Sequence, residues 1–232
     1  QYEETMDVLI ERGSVEGLAY KEFLEDLDVG GLPKFYFSYD WRKSNRWNAE
    51  KLNEFIEMLK VKSRARFEAT EDEFINKVNI VTHSMGNHIC RFYSKDYGFD
   101  SIHKIVFAAP PFLGSLAMIN AMIKGQGMFK GVKKKLREIV RTFPGAIELI
   151  PRYKYAAMFD DETPVDFFNK DDWQGGIISI GSSDEKRRRL SEKFLKNLKQ
   201  GLKDVNDLDT WLDELDEDQR KRMLVIVRDE FK

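Results

Sequence analysis

The sequence predicts an α/β protein built on a mostly parallel sheet with helices on both faces. Short β-branched or aromatic runs alternate with helical patterns, and each helical stretch carries one apolar stripe. A strand, helix, strand order that repeats is typical of parallel sheets with covered faces. With 232 residues, the chain is long enough for one domain with a full core, or for one domain that carries an insertion.

The first elements come before and just after a glycine-rich break. "ETMDVLIERG" at 4–13 has apolar residues at helical spacing, and Gly13 ends the predicted helix. "KFYFSYDW" then alternates aromatic and polar residues after "GGLP", which predicts a strand over 34–39. Asn45 is expected to cap a helix over 46–60, where leucine, isoleucine and phenylalanine make one apolar stripe.

The next elements surround a serine. A β-branched run predicts a strand over 77–82, and the chain turns at once into a helical pattern that extends to Tyr97. "HKIVFAAPP" predicts a third strand over 103–109, which two prolines stop. Between the first of these strands and the helix stands Ser84.

The remainder of the chain changes character. Residues 112–175 show no strand alternation and contain a basic amphipathic pattern at 130–142, so this part is predicted to be an insertion. After it, we expect a strand over 176–180, a charged helix over 184–203 and a strand over 223–227. The predicted organisation is therefore a core segment at 1–111, a lid or cap insertion at 112–175, and a return to the core at 176–232.

Composition and charge exclude several classes of protein. The sequence has 38 Lys and Arg residues and 40 Asp and Glu residues. It therefore lacks the excess of basic residues that is typical of nucleic-acid-binding domains. The sequence lacks metal-ligand spacing, a P-loop and a dinucleotide fingerprint, and we expect neither a metal nor a cofactor. A single cysteine, Cys90, and the absence of a signal-peptide pattern lead us to expect a cytoplasmic protein, with contact to a membrane surface as an alternative.

The serine corner is the strongest catalytic pattern. A nucleophilic serine in an α/β enzyme occupies a tight strand-to-helix turn that requires small residues two positions before and after it. "THSMG" provides Gly86 after Ser84, but Thr82 stands where glycine is expected. The backbone N–H of Met85 would be one donor to an oxyanion. The alternative is that Ser84 only caps the following helix.

Four motifs together resemble a known family. "YDWR" at 39–42, "VTHSMGNHICRFY" at 81–93, "APPFLGS" at 109–115 and "FPGAIELIPR" at 143–152 occur in the order typical of the lecithin:cholesterol acyltransferase-like family. That family also includes lysosomal phospholipase A2 and phospholipid:diacylglycerol acyltransferases. The resemblance extends from Lys34 to Trp173. It implies an α/β-hydrolase fold with a lid, and an acyl-enzyme mechanism on phospholipids or related lipid esters.

The sequence departs from this family pattern at Thr82 and at Asn87, where many members have glycine. The disulfides of secreted members are also missing. No histidine has the expected position of a catalytic base: His83 adjoins Ser84, His88 lies one helical turn further on, and His103 precedes its strand. We therefore expect the base histidine to lie outside this sequence.

The order serine, acid, histidine in α/β-hydrolases makes Asp229, just behind the last predicted strand, the candidate acid. Both ends of the sequence are accordingly expected to be truncated. Two alternatives to truncation stay open: a second polypeptide supplies the missing groups, or the protein is an inactive relative.

Several residues have two readings. Trp41, Phe112 and Leu113 are candidates for the acyl-binding pocket, whereas a buried Asp40–Arg42 ion pair with Trp41 in the core is the alternative. Apolar residues of the insertion are expected either to contact lipid or to pack the lid itself. The basic helix is expected either to dock on an anionic membrane or to be an ordinary surface helix.

The sequence thus predicts a serine-dependent hydrolase or acyltransferase whose substrate is a lipid ester, most simply a phospholipid. Its rivals are a catalytically inactive α/β-hydrolase-like scaffold and a carboxylesterase of small soluble esters. The pattern does not decide between water and an alcohol as acyl acceptor, and it leaves the oligomeric state open.

Overall fold

The computed structural model describes residues 34–67, 76–125, 133–179 and 181–226. The chain divides into two compact units, Gln1–Ser38 and Tyr39–Lys232. The described part of the first unit is Lys34–Ser38, which has no regular secondary structure. The helix predicted over 4–13 lies outside the described residues.

The sheet has three parallel strands: β1 (Val78–His83), β2 (Ile102–Ala108) and β3 (Met223–Ile226), in that spatial order. His83, the last residue of β1, pairs with Ala108, and Ala108 pairs with Ile226, so the three carboxyl ends meet at one edge. The predictions of strands over 77–82, 103–109 and 223–227 are confirmed. Functional residues of parallel α/β sheets collect at this edge.

The helices of the described residues surround these strands. The helix that follows Ser84 and the charged helix after the insertion are confirmed, and the latter is longer than predicted. The described helices are α1 (Asn45–Phe67), α2 (Gly86–Tyr97), α3 (Leu116–Lys124), α4 (Lys133–Val140), α5 (Pro144–Ile147), α6 (Glu185–Glu214) and α7 (Glu217–Lys221), with a 3-10 turn at Lys170–Asp172.

Two predicted strands are wrong. Residues 34–40 have no regular secondary structure, because alternation indicates an extended, two-faced segment but does not supply the partner that a strand requires. Residues 176–179 are not a strand either. The N–H groups of Ile177 and Ile178 both donate to the carbonyl of Gln174, at 2.8 and 3.4 Å, so a turn uses the donors that a ladder would need.

The cap of α1 differs from the prediction by one residue. The Ser44 hydroxyl accepts a hydrogen bond from the N–H of Trp47 at 3.1 Å, so Ser44 caps α1 and Asn45 is already helical. Asp184, and neither of the serines before it, caps α6, and its carboxylate accepts from two N–H groups.

One buried apolar cluster contains residues of the predicted insertion, residues of α6 and Met85, which follows Ser84. The cluster includes Met85, Met122, Ile147, Phe194 and Leu198, all buried. On α1, the predicted stripe is also buried at Leu52, Ile56 and Leu59. The described part of the predicted insertion thus packs on the core along α5 and α6.

The start of α5 packs too closely on the rest of the molecule for any side chain at Gly145. A Cβ there would lie 2.6 Å from the carbonyl oxygen of Trp41 and 2.5 Å from Cε of Met85. We expect Gly145→Ala to lower the free energy of unfolding by about 1–3 kcal/mol, since the backbone carbonyl cannot move aside easily. Urea denaturation followed by circular dichroism measures this change.

Gly175→Ala is the matched control, because a Cβ at Gly175 meets no atom within 4 Å. Its effect should stay within about 0.5 kcal/mol. Equal effects of the two substitutions would contradict the close contact at Gly145.

Candidate active site

Ser84 occupies the sharp turn between β1 and α2. Its backbone has φ 52, a left-handed conformation that is uncommon for a residue other than glycine, and its side chain is exposed. The N-cap of α2 is Met85, with no side-chain hydrogen bond to the cap position. The alternative that Ser84 merely caps this helix is therefore wrong. Strained non-glycine residues of this kind concentrate at functional sites.

The threonine that replaces the expected glycine fits the turn. A Cβ added to Gly86 would lie 3.3 Å from the Thr82 hydroxyl, so Gly86 leaves just the room that Thr82 fills. The Thr82 side chain is buried and donates a hydrogen bond to Oδ1 of Asn87 at 2.9 Å. The two departures from the family pattern therefore contact each other.

Segments from the four sequence motifs contact one another near this turn. The "FPG" glycine, Gly145, packs on the carbonyl of Trp41 and on the side chain of Met85, as described above. The third motif is tied to the fourth by backbone hydrogen bonds: Ser115 N–H donates to Leu149 O at 2.8 Å, and Arg152 N–H donates to Leu113 O at 2.9 Å. Residues that are distant in sequence thus fix the surroundings of Ser84.

The predicted pocket residues have three different environments. The Trp41 ring is half-buried and meets Phe143 edge-on, with ring centroids 5.1 Å apart. Phe112 packs edge-on against Phe107 at 5.5 Å, and Leu113 is 57% exposed. Of the three predicted residues, Leu113 therefore has the largest exposed fraction.

The Asp40–Arg42 ion pair forms, but it is not buried. Two hydrogen bonds of 2.8 Å join the guanidinium to the carboxylate, and the Arg42 side chain is 61% exposed. The hydrogen bond from Arg42 lowers the pKa of Asp40 to about 2. A solvated pair of this kind contributes little to stability.

The apolar residues of the insertion divide into two groups. Met118, Ile119 and Met122 on α3 are buried in the core, so they pack the fold itself. Leu113 and Leu116 are exposed on the segment that leaves the carboxyl end of β2. The packing reading therefore holds for the α3 residues, and lipid contact stays a prediction for the exposed ones.

His83 and His88 lie where the sequence predicted, whereas His103 lies within β2 and does not precede it. His88 is buried, and its Nε2 donates to the carbonyl of Pro111 at 3.0 Å, since a carbonyl can only accept. Burial, with the nearby charge of Arg91, lowers the pKa of His88 to about 4, so the ring is neutral at pH 7. His83 and His103 are exposed on the strands.

Two arginines near His88, the buried Arg91 and the partly buried Arg152, were missed by sequence reasoning. Arg91 is fully buried, its guanidinium lies 4.6 Å from the ring of Phe112, and Arg152 and Arg91 both donate to the carboxylate of Asp209. Although burial opposes it, these bonds lower the pKa of Asp209. Arg152 also donates to the carbonyl of Phe112, so the cluster positions the segment after β2.

Glu148 is a second buried group that the sequence did not indicate. Its carboxyl accepts hydrogen bonds from the backbone N–H and the side-chain amide of Asn45, at 2.8 and 2.6 Å. Burial raises the pKa of Glu148 to about 8, and the nearby Asp204 adds to this rise. A cavity of about 280 Å³ adjoins it, lined also by Ser44, Arg46, Pro144, Asn197, Gln200, Gly201 and Asp204.

The other predicted features have these outcomes. Asp229, the candidate acid, lies outside the described residues. In the described ranges no group of three or more His, Cys, Asp or Glu side chains is arranged to hold a metal ion. None of the helices over the same ranges is both long enough and apolar enough to span a bilayer. Burial raises the pKa of the Cys90 thiol to about 12.

The parallel strands, the helix after Ser84 and the strained turn between them define the class of the protein: it has an α/β-hydrolase fold. The sequence profile of the lecithin:cholesterol acyltransferase family matches residues 10–210, and the chain belongs to that family. The resemblance that the four motifs carry is thereby confirmed.

A solved structure supports the fold independently. A chain in the crystal structure of the Tle4–Tli4 complex superposes with a TM-score of 0.58 at 17% sequence identity, over 73% of this chain and 41% of that chain. At this identity the similarity shows the fold alone. The present chain thus spans about 41% of the length of that neighbour. No curated protein matches the sequence.

The buried Glu148 predicts a specific pH dependence of stability. In the folded protein the carboxyl keeps its proton up to about pH 8, whereas the unfolded chain releases it near 4.5, so the folded state binds more protons between these values. The free energy of unfolding therefore falls as the pH rises through this window. In Glu148→Gln this fall should be smaller by at least about 1 kcal/mol between pH 5 and pH 8.

Urea denaturation at the two pH values, with the exposed Glu50→Gln as control, measures the difference. Glu50→Gln should follow the wild type. Identical pH slopes in wild type and Glu148→Gln would show that Glu148 ionises normally.

Proposed function

We propose that the protein is a serine-dependent lipid acyl hydrolase or acyltransferase with Ser84 as its nucleophile. The observation that carries this proposal is the exposed Ser84 at φ 52 between a parallel strand and a helix, in a chain of the lecithin:cholesterol acyltransferase family. A strained turn presents the hydroxyl at the edge where the strands end, which is the placement that acyl transfer requires.

The chemistry follows the acyl-enzyme route. The Ser84 oxygen attacks the ester carbonyl while a histidine base takes its proton, and the carbonyl oxygen becomes an oxyanion. The N–H of Met85 at the start of α2 has no acceptor within the helix, so it is free to donate to this oxyanion. The leaving alcohol then departs with the proton, and water or a second alcohol attacks the acyl-serine.

The acid of this mechanism is assigned to a residue outside the described ranges, and the base to none of the three histidines of this sequence. Asp229, which follows β3, is the candidate acid, and the base is a histidine other than His83, His88 and His103. His88 already donates its Nε2 proton to Pro111 and has its pKa lowered by burial, which supports a structural role for it.

The proposed substrate is a phospholipid or a related lipid ester. Leu113 and Leu116 are exposed on the segment that leaves β2, and the carboxyl end of β2 adjoins that of β1, which leads to Ser84. Exposed aliphatic side chains at this edge suit an acyl chain. We assign the lid role to residues 112–175, with Trp41 and Phe112 as supporting pocket residues.

Membrane contact is proposed through the exposed side of this insertion. Ile139 on the basic helix α4 is 46% exposed, and Tyr155, Met158 and Phe159 are exposed around a short turn. Aromatic and aliphatic side chains beside lysines are the composition that interfacial segments use. Localisation at a membrane surface follows from this proposal.

Replacement of the nucleophile should abolish activity. In the full-length protein, Ser84→Ala should reduce fatty-acid release from phosphatidylcholine vesicles at least about a thousand-fold, since no other group can carry the acyl intermediate. The exposed Ser183→Ala is the matched control and should keep wild-type activity. Circular dichroism verifies that both variants fold.

A panel of esters from acetyl to palmitoyl, with and without vesicles and with an added alcohol acceptor, then defines the reaction. Preference for long chains on vesicles supports a lipid substrate, and acetyl esters alone would indicate a carboxylesterase. Full activity of Ser84→Ala would refute the proposal, and a wild type without any ester activity would favour an inactive scaffold.

A further inference from the structure

We propose that Asn87 is a positioning residue for the nucleophile, and that Thr82 fixes Asn87 in the orientation this role requires. This inference rests on the proposed function, because it concerns how Ser84 is held for attack. Asn87 does not reach substrate in this account; it acts through the backbone of Ser84 and of the neighbouring strand end.

The side-chain amide of Asn87 joins the ends of β1 and β2. Its Nδ2 group donates two hydrogen bonds, to the carbonyl of Ser84 at 2.6 Å and to the carbonyl of Ala108 at 3.0 Å. Ala108 O also accepts the N–H of Ser84 at 3.1 Å. One amide group thus connects the turn that carries Ser84 to the adjacent strand.

Both connected corners are strained. Ser84 has φ 52, and Ala109, the residue after Ala108, has φ 43. Non-glycine residues in such conformations persist only when their surroundings hold them there. Hydrogen bonds to the carbonyls at these two corners, from a residue with no exposed surface, provide that restraint.

Thr82 determines which way the amide points. The Thr82 hydroxyl donates to Oδ1 of Asn87 at 2.9 Å. The amide oxygen thus has a donor, and both amide hydrogens have a carbonyl acceptor. Turned over, the amide would direct its oxygen at the carbonyl oxygens of Ser84 and Ala108, and neither of these has a proton to donate. The pair therefore forms a unit.

This unit explains why the sequence departs from the family pattern at two positions together. Glycine at either position alone would leave a buried polar partner unsatisfied, which is costly in a protein interior. With threonine and asparagine at these two positions, the side chains fill the space that two glycines would leave, and they are joined by a hydrogen bond. The specific expectation is that their effects on catalysis are coupled.

A double-mutant cycle tests the inference in the full-length protein, with Thr82→Val, Asn87→Ala and the double variant. Asn87→Ala should lower kcat on phosphatidylcholine vesicles about 10–100-fold with KM within about two-fold, since the substrate pocket is untouched. Thr82→Val should lower kcat several-fold when Asn87 is present and have little further effect in Asn87→Ala.

Asn197→Ala is the matched control, because its amide also donates to a backbone carbonyl, that of Thr142 at 3.0 Å, far along the chain from the turn. It should lower the urea midpoint without lowering kcat. If Asn87→Ala loses stability but keeps kcat, or if the two effects on kcat multiply, the positioning role is overturned.

Failure of the proposed function gives a different result. A wild type that shows no ester activity and no fluorophosphonate labelling refutes the nucleophile, and with it the positioning role. The urea midpoints of the same four proteins then test the Thr82–Asn87 hydrogen bond by itself. If the midpoint shift of the double variant is smaller than the sum of the two single shifts, the hydrogen bond is supported; an additive shift refutes it.

Discussion

The left-handed backbone of Ser84 is the constraint on which the site depends. At φ 52 the chain can turn from β1 into α2 within two residues, and the hydroxyl stays outside both elements. Such a conformation costs about 1–3 kcal/mol for a residue with a side chain. Hydrogen bonds from Ser84 N–H to Ala108, and from Asn87 to Ser84, offset this cost.

The family motifs are, in physical terms, a set of close contacts around that turn. Gly145 lets α5 approach the carbonyl of Trp41 and the side chain of Met85, and a Cβ at Gly114 would clash with the backbone of Ile150. The third and fourth motifs each contribute a glycine where another segment comes too near for a side chain. Four motifs in a fixed order therefore reflect one packing arrangement, and the serine, the helix start and the segment after β2 are held together by it.

The sequence predicted the parts that local patterns determine. The three β-branched or aromatic runs that pair in the sheet, and the helix after Ser84, follow from periodicity and were confirmed. Residues 34–40 and 176–179 show the limit, because an apolar alternation does not state whether a partner strand exists. Buried ionisable groups were also missed: Glu148 and Arg91 are buried through contacts with Asn45 and Asp209, which lie far away in the sequence.

The most direct test of the account is to identify the residue that a fluorophosphonate modifies in the full-length protein. Trypsin releases residues 78–91 as one peptide that contains Ser84 and no other serine, and mass spectrometry locates the phosphonyl group within it. The account predicts the modification on Ser84. A modified serine elsewhere, with residues 78–91 unchanged, would contradict it.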